Sequence, residues 1–347
     1  MSRKHYALGA LISLTGAVAL AHATSAFAVD FATRCADPNV LRCVGFDTTA
    51  TLSGTYGDNS GTLPGAANPA IDTAIKASGA GSMKLTVPSN SGANTSGSYF
   101  INFSNDLSVQ FGGNSTFYVQ WRQRFSPAFL STFYQGGGGW KHIIIGTGDQ
   151  PGNKLFSSCS SLETVVQNTN QRGFAQMYNS CSGSTSHGAY NPFEQLFNGS
   201  DFKMQNARPS PYCLYSQSST SYFPPTGNCL GYVANEWMTY QVGITTGPRV
   251  LDEFVGSNVK LWIAREGQPS QLVIDWGPYN LTAGNPIDNE AFGKFWLLAY
   301  HTGKSSAQTH PVGEMWYDEL IVSRAKIADP DGTANPSPNP PTSLTAN

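Results

Sequence analysis

Charged residues are scarce in this sequence, and it contains no basic cluster. Asp, Glu, Lys and Arg make up 12% of the 347 residues, and 20 Lys and Arg against 22 Asp and Glu give a formal charge of −2. Proteins that bind nucleic acid or anionic membranes need clustered Lys and Arg to meet phosphate groups. We therefore expect neither nucleic acid nor a membrane as a partner.

The motifs of several enzyme classes are also missing. The sequence has no Gly-x-Ser-x-Gly elbow, no His-Glu-x-x-His helix and no phosphate-binding loop. It has no Cys-x-x-Cys pair and no cysteine and histidine spacing typical of zinc. These absences argue against an α/β-hydrolase, a zinc protease and a nucleotide-dependent enzyme.

The first 28 residues have the pattern of an export signal. Arg3 and Lys4 precede an apolar stretch at 6–20, and Ala26-Phe27-Ala28 is an A-x-A cleavage pattern. An uncleaved membrane anchor is the alternative, but this stretch is shorter than the ~20 residues that span a bilayer. We expect cleavage after Ala28 and a secreted or periplasmic mature protein. Its formal charge becomes −4, because the signal contains Arg3 and Lys4 and no acidic residue.

All six cysteines follow this signal: Cys35, Cys43, Cys159, Cys181, Cys213 and Cys229. An even number of cysteines in an exported chain favours disulfides over metal ligation. Six cysteines allow many pairings, and the sequence does not choose among them. We expect nearest neighbours to pair, because each disulfide would then close one local loop.

Composition and pattern predict an all-β fold. The chain has 36 Gly, 21 Pro and 12% aromatic residues, which suits short strands joined by tight turns. No segment keeps the 3.6-residue period of a long amphipathic helix. We predict an antiparallel two-sheet β-sandwich with long loops. The predicted strands are 82–87, 99–103, 116–125, 142–145, 162–168, 174–178, 237–244, 259–265, 272–276, 294–301 and 314–323.

One domain is expected at 29–329, because no linker-like segment interrupts it. A stretch rich in Ser, Tyr, Pro and Asn at 182–231 is predicted to be a long insertion pinned by Cys213 and Cys229. Long ordered loops on a rigid sheet often build binding surfaces. Residues 330–347 are rich in Pro, Asn, Ser and Thr, which predicts a disordered tail.

Three segments near the C-terminus resemble strands of the concanavalin A-like jelly-roll superfamily. Residues 235–242 (NEWMTYQV) resemble the strand that carries a Glu-Trp pair in that fold, and 314–323 (EMWYDELIVS) resemble its closing strand. Residues 259–264 (VKLWIA) are similar to the strand that precedes a β-turn. The resemblance implies a jelly roll and a polysaccharide or oligosaccharide partner. This superfamily includes lectins, glycoside hydrolases and polysaccharide lyases.

A polysaccharide lyase cleaves uronate glycans by β-elimination. It neutralises the sugar carboxylate, removes the C5 proton and protonates the leaving oxygen. The resemblance implies that such groups lie on the concave sheet beside an aromatic side chain. His142 and His301 fall on predicted strands. His142 is the candidate base, and Tyr300, Tyr178 and His301 are the other acid–base candidates.

Candidates for carboxylate binding come from two strands. Arg122 and Arg124 share one face of strand 116–125 by alternation, and they could grip a carboxylate if that face lines the cleft. Simple solvent exposure of the face is the alternative. Gln167 and Asn168 are the candidates on the predicted strand 162–168, where cross-strand polar pairing is the alternative.

Trp140 and Lys141, which adjoin His142, complete the candidate site. Trp140 follows a glycine run that lets the backbone bend, and an exposed ring there would stack on a sugar. No predicted strand carries the Gln-x-His or Arg-x-Glu-x-Arg pattern of alginate lyases, so a non-catalytic lectin-like protein and a jelly-roll glycoside hydrolase stay open as alternatives. No cofactor is expected, although Asp149 or Asp318 could hold a structural calcium ion. We expect a monomer.

Overall fold

The chain folds into two large antiparallel sheets, which confirms the predicted all-β sandwich. The computed structural model describes residues 29–54, 59–136, 139–155, 157–169, 173–193, 195–197, 201–216, 226–285 and 289–330. The predicted signal at 1–28 and residues 331–347 of the predicted tail lie outside the described residues. Within the described ranges, no helix is long and apolar enough to cross a membrane.

Three sheets account for the strands of the described chain. The nine-stranded sheet contains β1 (Val40–Val44), β3 (Ala70–Asp72), β4 (Ser82–Val87), β6 (Thr116–Phe125), β14 (Met238–Thr245), β15 (Arg249–Val250), β16 (Glu253–Ala264), β17 (Gln271–Thr282) and β19 (Gly313–Ser323). The seven-stranded sheet contains β2 (Ser60–Leu63), β5 (Ser98–Asn102), β7 (Gly139–Thr147), β8 (Glu163–Thr169), β9 (Gln176–Asn179), β10 (Asn191–Pro192) and β18 (Phe292–Leu298). The third sheet contains β11 (Gln195–Phe197), β12 (Asp201–Gln205) and β13 (Cys213–Ser216). The helical elements are α1 (Phe31–Cys35), a 3-10 turn (Thr49–Leu52) and α2 (Pro127–Ser131).

Strands that are distant in sequence are neighbours in both large sheets. In the nine-stranded sheet, β6 lies between β14 and β19, with Gln120 opposite Gln241 and Arg124 opposite Trp316. The seven-stranded sheet has the order β10-β9-β8-β7-β18-β5-β2. The three segments that resemble jelly-roll strands form β14, β16 and β19 of a single sheet.

The hydrophobic core fills the space between the two large sheets. On β6 the inward side chains include Phe117, Val119 and Trp121, all fully buried. The Trp121 ring stacks on Tyr240 of β14, with 5.4 Å between the ring centroids. Successive side chains in a strand point to opposite faces. One face of each sheet is therefore committed to this core. The outer face of the seven-stranded sheet carries a second, smaller apolar cluster that includes Ile144, Val165 and Trp296.

Each of the three disulfides joins nearest-neighbour cysteines. Cys35–Cys43 links α1 to β1, and Cys159–Cys181 links the segment before β8 to the segment after β9. Cys213–Cys229 lies within the predicted insertion at 182–231 and starts from β13 of the third sheet. Every disulfide therefore closes one local loop.

A buried ion pair fastens the 149–155 loop to the outer face of the seven-stranded sheet. Lys294 Nζ of β18 lies 3.0 Å from Asp149 Oδ1, and both side chains are buried. The same ammonium donates to the Leu155 carbonyl at 2.9 Å. Asn102 of β5 donates to Asp149 Oδ2 at 2.8 Å. The loop is thereby held across part of this face.

Lys294→Ala should lower the free energy of unfolding by about 3–5 kcal/mol, because it leaves the buried Asp149 carboxylate without its ammonium. Urea unfolding followed by tryptophan fluorescence measures this loss. Lys260→Ala is the matched control, since Lys260 pairs with Asp275 at 3.2 Å on an exposed surface. The control should lose less than about 1 kcal/mol. Equal losses in the two variants would contradict the role of the ion pair as a clamp.

Candidate functional site

The outer face of the seven-stranded sheet carries a row of polar side chains. Lys141 of β7 lies opposite Gln167 of β8, and Gln167 lies opposite Gln176 of β9. Residues that are directly paired on antiparallel strands project to the same face. Lys141, Gln167 and Gln176 therefore lie side by side across three strands.

Tyr300 extends this row on the β18 side. The Lys141 amide donates to the Tyr300 carbonyl at 3.3 Å. The Lys141 ammonium lies 4.9 Å from the centroid of the Tyr300 ring, which is within cation–π range. Tyr300 also packs against the apolar residues of the outer face. We call Tyr300, Lys141, Gln167 and Gln176 the outer-face row.

A cavity of about 290 Å³ lies over the Tyr300 and Lys141 end of the outer-face row. Its volume is near the lower end of the ~300–1,000 Å³ range of small-molecule sites. The Cys159–Cys181 disulfide forms part of the wall, and Tyr190 lines it with 58% of its surface exposed. The cavity therefore combines one cation, two tyrosines and a fixed wall.

Burial changes the acid–base behaviour of Lys141. The residue is 8% exposed, and desolvation lowers the pKa of its ammonium, while attraction by the Glu163 carboxylate opposes this shift. A lowered pKa brings the neutral amine, which is a base, closer to physiological pH. Lys141 is therefore the group in this cavity that is best suited to accept a proton.

Glu163 and Tyr178 lie on the same face of the sheet as Gln167, outside the lining of this cavity, and they interact with each other. The Tyr178 hydroxyl donates to Glu163 Oε1 at 3.5 Å, and the Ser160 amide donates to Glu163 Oε2 at 3.0 Å. Burial raises the pKa of Glu163 to about 7, and burial together with Glu163 raises the pKa of Tyr178. The exposed Tyr190 ring packs against Tyr178 at 5.6 Å between centroids. Tyr178 therefore packs against a wall residue of the cavity and is not part of the lining itself.

His142 faces the core, on the opposite side of β7 from Lys141. It is fully buried, its Nδ1 lies 2.8 Å from Gln123 Oε1, and its Nε2 lies 2.8 Å from the Tyr232 hydroxyl. Burial lowers the pKa of His142 well below its usual value. A general base must reach the proton that it removes. The core position corrects the prediction that His142 is the base.

Three more candidates are also buried on the inner side, and their burial excludes the roles predicted for them. Trp140 is 3% exposed and packs edge-on against Phe129, so it is not the predicted exposed platform. His301 is buried, and its Nδ1 bonds the Ala299 carbonyl at 2.8 Å. Asn168 follows the outward-facing side chain of its strand and is itself buried on the inner side. None of the three reaches the cavity.

Arg122 and Arg124 lie on the other sheet. Arg122 is buried within 3.9 Å of both Glu319 and Glu266. Arg34 of α1 covers the same face and pairs with Glu319. Stacked sheets lie about 10 Å apart, so the thickness of the sandwich separates both arginines from the outer-face row. The polar face of β6 is therefore covered around Gln120 and Arg122, and Arg124 lies on the same sheet, away from the cavity. This position corrects the prediction that the face lines the cleft.

The two acidic residues considered for calcium have protein partners. The Lys294 ammonium contacts Asp149, as described above. Asp318 accepts hydrogen bonds from the amides of Ala77 at 2.8 Å and Ser78 at 3.2 Å. In the part of the chain that the structure describes, no group of three or more His, Cys, Asp or Glu residues is arranged to hold a metal ion.

The sequence-based candidates left out Glu163, Gln176 and Tyr190. Alternation could have found Glu163 and Gln176, because it places Glu163 on the same face of β8 as Gln167 and Gln176 on the same face of β9 as Tyr178. Tyr190 lies in the predicted insertion, where no strand pattern indicates which way a side chain points. Its place at the cavity depends on the chain returning past the Cys159–Cys181 disulfide.

His142→Gln should reduce the loss of stability on acidification. Because burial lowers the pKa of His142, the unfolded chain takes up a proton below about pH 6.5 while the native imidazole stays neutral. Above that pH, His142 does not destabilise the native state. As the pH falls below it, this site lowers the free energy of unfolding by up to ~1.4 kcal/mol per pH unit. Unfolding free energies measured between about pH 7 and pH 5 test the slope. Identical slopes in the wild type and the variant would contradict this assignment.

No protein-family model and no curated protein matches this chain. Among solved structures, the marine PL-14 alginate lyase from Aplysia kurodai is similar to it, with 10% identity, 82% of this chain and 98% of that chain covered, and a TM-score of 0.46. Alginate lyase vAL-1 from Chlorella virus has 12% identity, 82% and 99% coverage and a TM-score of 0.39. The cellulose-induced protein Cip1 has 14% identity, 82% and 98% coverage and a TM-score of 0.39. At this level of similarity, none of these proteins shows what this chain binds or cleaves.

Proposed function

We propose that this protein is a polysaccharide lyase that cleaves a uronate-containing glycan by β-elimination at the outer-face row. One observation carries the proposal: Lys141 and Tyr300 line the same cavity, with the Lys141 ammonium 4.9 Å from the centroid of the Tyr300 ring. A proton acceptor and a proton donor are thus held side by side where a sugar ring can enter.

The row offers one group for each step of the elimination. The amide of Gln167, which lies next to Lys141 in the row, donates to the uronate carboxylate and stabilises the charge that develops on it. The neutral amine of Lys141 takes the C5 proton, and the Tyr300 hydroxyl gives a proton to the leaving O4. The C5–H and C4–O4 bonds break, and a C4–C5 double bond forms. The Lys141 ammonium, which is next to Tyr300, then returns a proton to the tyrosinate.

A glycoside hydrolase is less well supported by this site. Such enzymes place two carboxyl groups on either side of the scissile bond. Among the described residues that line the cavity there is no Asp or Glu, and Glu163 is fully buried outside this lining. Glu314, Asp318 and Glu319 belong to β19 of the other sheet. A second carboxyl group for hydrolysis is therefore missing from this part of the site.

The cellular location is part of the proposal. We propose that the signal at 1–28 is removed after Ala28 and that the mature protein acts as a monomer outside the cytoplasm. Three disulfides support this, because such bonds persist in oxidising compartments. A polymeric glycan that cannot enter cells would be accessible there.

Lys141→Met should lower the rate of elimination about 10²–10⁴-fold, the usual loss when a positioned base is removed. Tyr300→Phe should lower it by a similar factor, since it removes the proton donor and keeps the ring. The assay follows the ultraviolet absorbance of the unsaturated product with alginate, glucuronan or heparin as substrate. Lys326→Met is the matched control, because Lys326 packs on Trp262 of the other sheet.

The control variant should keep the wild-type rate. An absence of unsaturated product from all three glycans would refute the lyase proposal. Retention on an immobilised glycan without cleavage would then favour the lectin-like alternative. New reducing ends without unsaturation would favour the hydrolase.

A further inference from the structure

Tyr190 is an exposed aromatic residue in the wall of the cavity. It lines the cavity together with Lys141 and Tyr300, and more than half of its surface is exposed. No other Trp, Tyr or Phe in the described part of the chain is as exposed. An aromatic ring buries a large apolar area when a ligand covers it. Tyr190 therefore offers a contact surface that the steps of the elimination do not use.

The backbone of Tyr190 is in the left-handed region, with φ at 56°. This conformation is uncommon for residues other than Gly, Asn and Asp, and residues held in it cluster at ligand-binding sites. The Tyr190 amide donates to the Ser180 carbonyl at 2.6 Å, which ties the residue to the end of β9. The hydrogen bond and the unfavourable backbone together fix the direction in which the ring leaves the chain.

Two contacts hold the Tyr190 side chain without covering it. Its ring packs on the buried Tyr178 ring at 5.6 Å between centroids. Its hydroxyl lies 3.6 Å from Cys181 Sγ, in the disulfide that forms part of the wall. A side chain that is ordered in advance loses little conformational freedom when a ligand binds. The exposed part of the ring is therefore prepared for a contact.

The rest of the cavity lining combines polar and apolar groups. Lys141 and Tyr300 supply the ammonium and a hydroxyl, while Ile144 and Leu298 supply apolar surface from the outer face of the sheet. A uronate ring has the same combination, because it carries a carboxylate and also presents faces made of C–H groups. The lining therefore complements one uronate ring.

Tyr190 and Tyr300 approach this cavity from different sides. Tyr300 follows β18, and Tyr190 precedes β10. Strands β7, β8 and β9 lie between β18 and β10 in the sheet. A sugar ring that enters the cavity thus meets Tyr300 and Lys141 on one side and the Tyr190 ring on the other.

We propose that Tyr190 is a substrate-binding residue, whose ring stacks on the C–H face of a uronate ring in the cavity. The proposal deepens the proposed function and rests on it for the class of ligand, but it does not require cleavage. Tyr190 contributes to binding and takes no part in proton transfer.

Tyr190→Gly tests the contact, because glycine adopts this backbone without strain and the variant loses only the side chain. Affinity is measured by retardation in native gels that contain alginate, glucuronan or heparin. The measurement is made in the Lys141→Met background, in which cleavage of the glycan is slowed. Removal of the ring should weaken binding about 10-fold, as expected for one aromatic contact. In an active enzyme, Tyr190→Gly alone should raise KM by a similar factor with little change in kcat.

Three further variants sharpen the test. Tyr190→Phe keeps the ring and should bind like the unsubstituted residue. Phe133→Ala is the matched control, since Phe133 is also exposed but does not line the cavity, and affinity should not change. Tyr190→Asn provides the measurement if the glycine variant does not fold, because Asn also tolerates a left-handed backbone.

Unchanged affinity in Tyr190→Gly, in a protein that binds one of the glycans, would overturn the inference and leave the lyase proposal standing. An equal loss in Tyr190→Phe would also overturn it, since the ring would then not be the contact. Weaker binding together with a raised KM would support both proposals. Weaker binding in a protein that forms no unsaturated product would support the sugar contact and count against the lyase. Binding to none of the three glycans would overturn the inference itself.

Discussion

The packing of the two large sheets against each other is the constraint on which the rest of this structure depends. The core takes one face of every strand that it contacts, because apolar side chains from both sheets must leave water together. A polar residue in such a strand has two outcomes. It either finds a hydrogen-bond partner in the core, as His142 does with Gln123 and Tyr232, or it faces outward, as Lys141 does.

Strand β7 contains a β-bulge next to Lys141 and His142, and this bulge changes which of the following side chains face the core. The pairing with β8 shifts between Lys141 and Ile143. Strict alternation would place Lys141, Ile143 and Ile145 on one face, yet both isoleucines belong to the core while Lys141 lines the outer cavity. The extra residue of a bulge changes the phase of a strand, and bulges often occur beside active sites. Here the bulge gives the core its isoleucines and gives the outer face its one lysine on this strand.

The two outer faces of the sandwich are covered to different extents. On the nine-stranded sheet, α1 and the buried pair of Arg34 and Glu319 cover the polar face of β6. On the seven-stranded sheet, Lys294 and Asp149 hold a loop over part of the face, and the Cys159–Cys181 disulfide marks its border with the cavity. Buried ion pairs add little net stability, but removing one partner is costly. They are suited to fixing where a loop lies, and here they leave the outer-face row accessible at its Tyr300 end.

The sequence by itself determined the class of fold and the approximate positions of eleven of the nineteen strands in the described chain. Each of the eleven predicted strands overlaps an observed one, and 82–87 and 116–125 match β4 and β6 in full. It also singled out Lys141 and Tyr300, because they adjoin the strand histidines His142 and His301, and it singled out Gln167 and Tyr178 from the alternation of their strands. A two-residue period shows which side chains share a face, but it does not show which face meets the core or which sheet a strand joins. Those choices follow from pairings between strands far apart in the chain and from the bulge in β7. For that reason tertiary structure alone decided that Lys141 faces the cavity, that His142 and Trp140 are core residues, and that Arg122 lies on the opposite sheet.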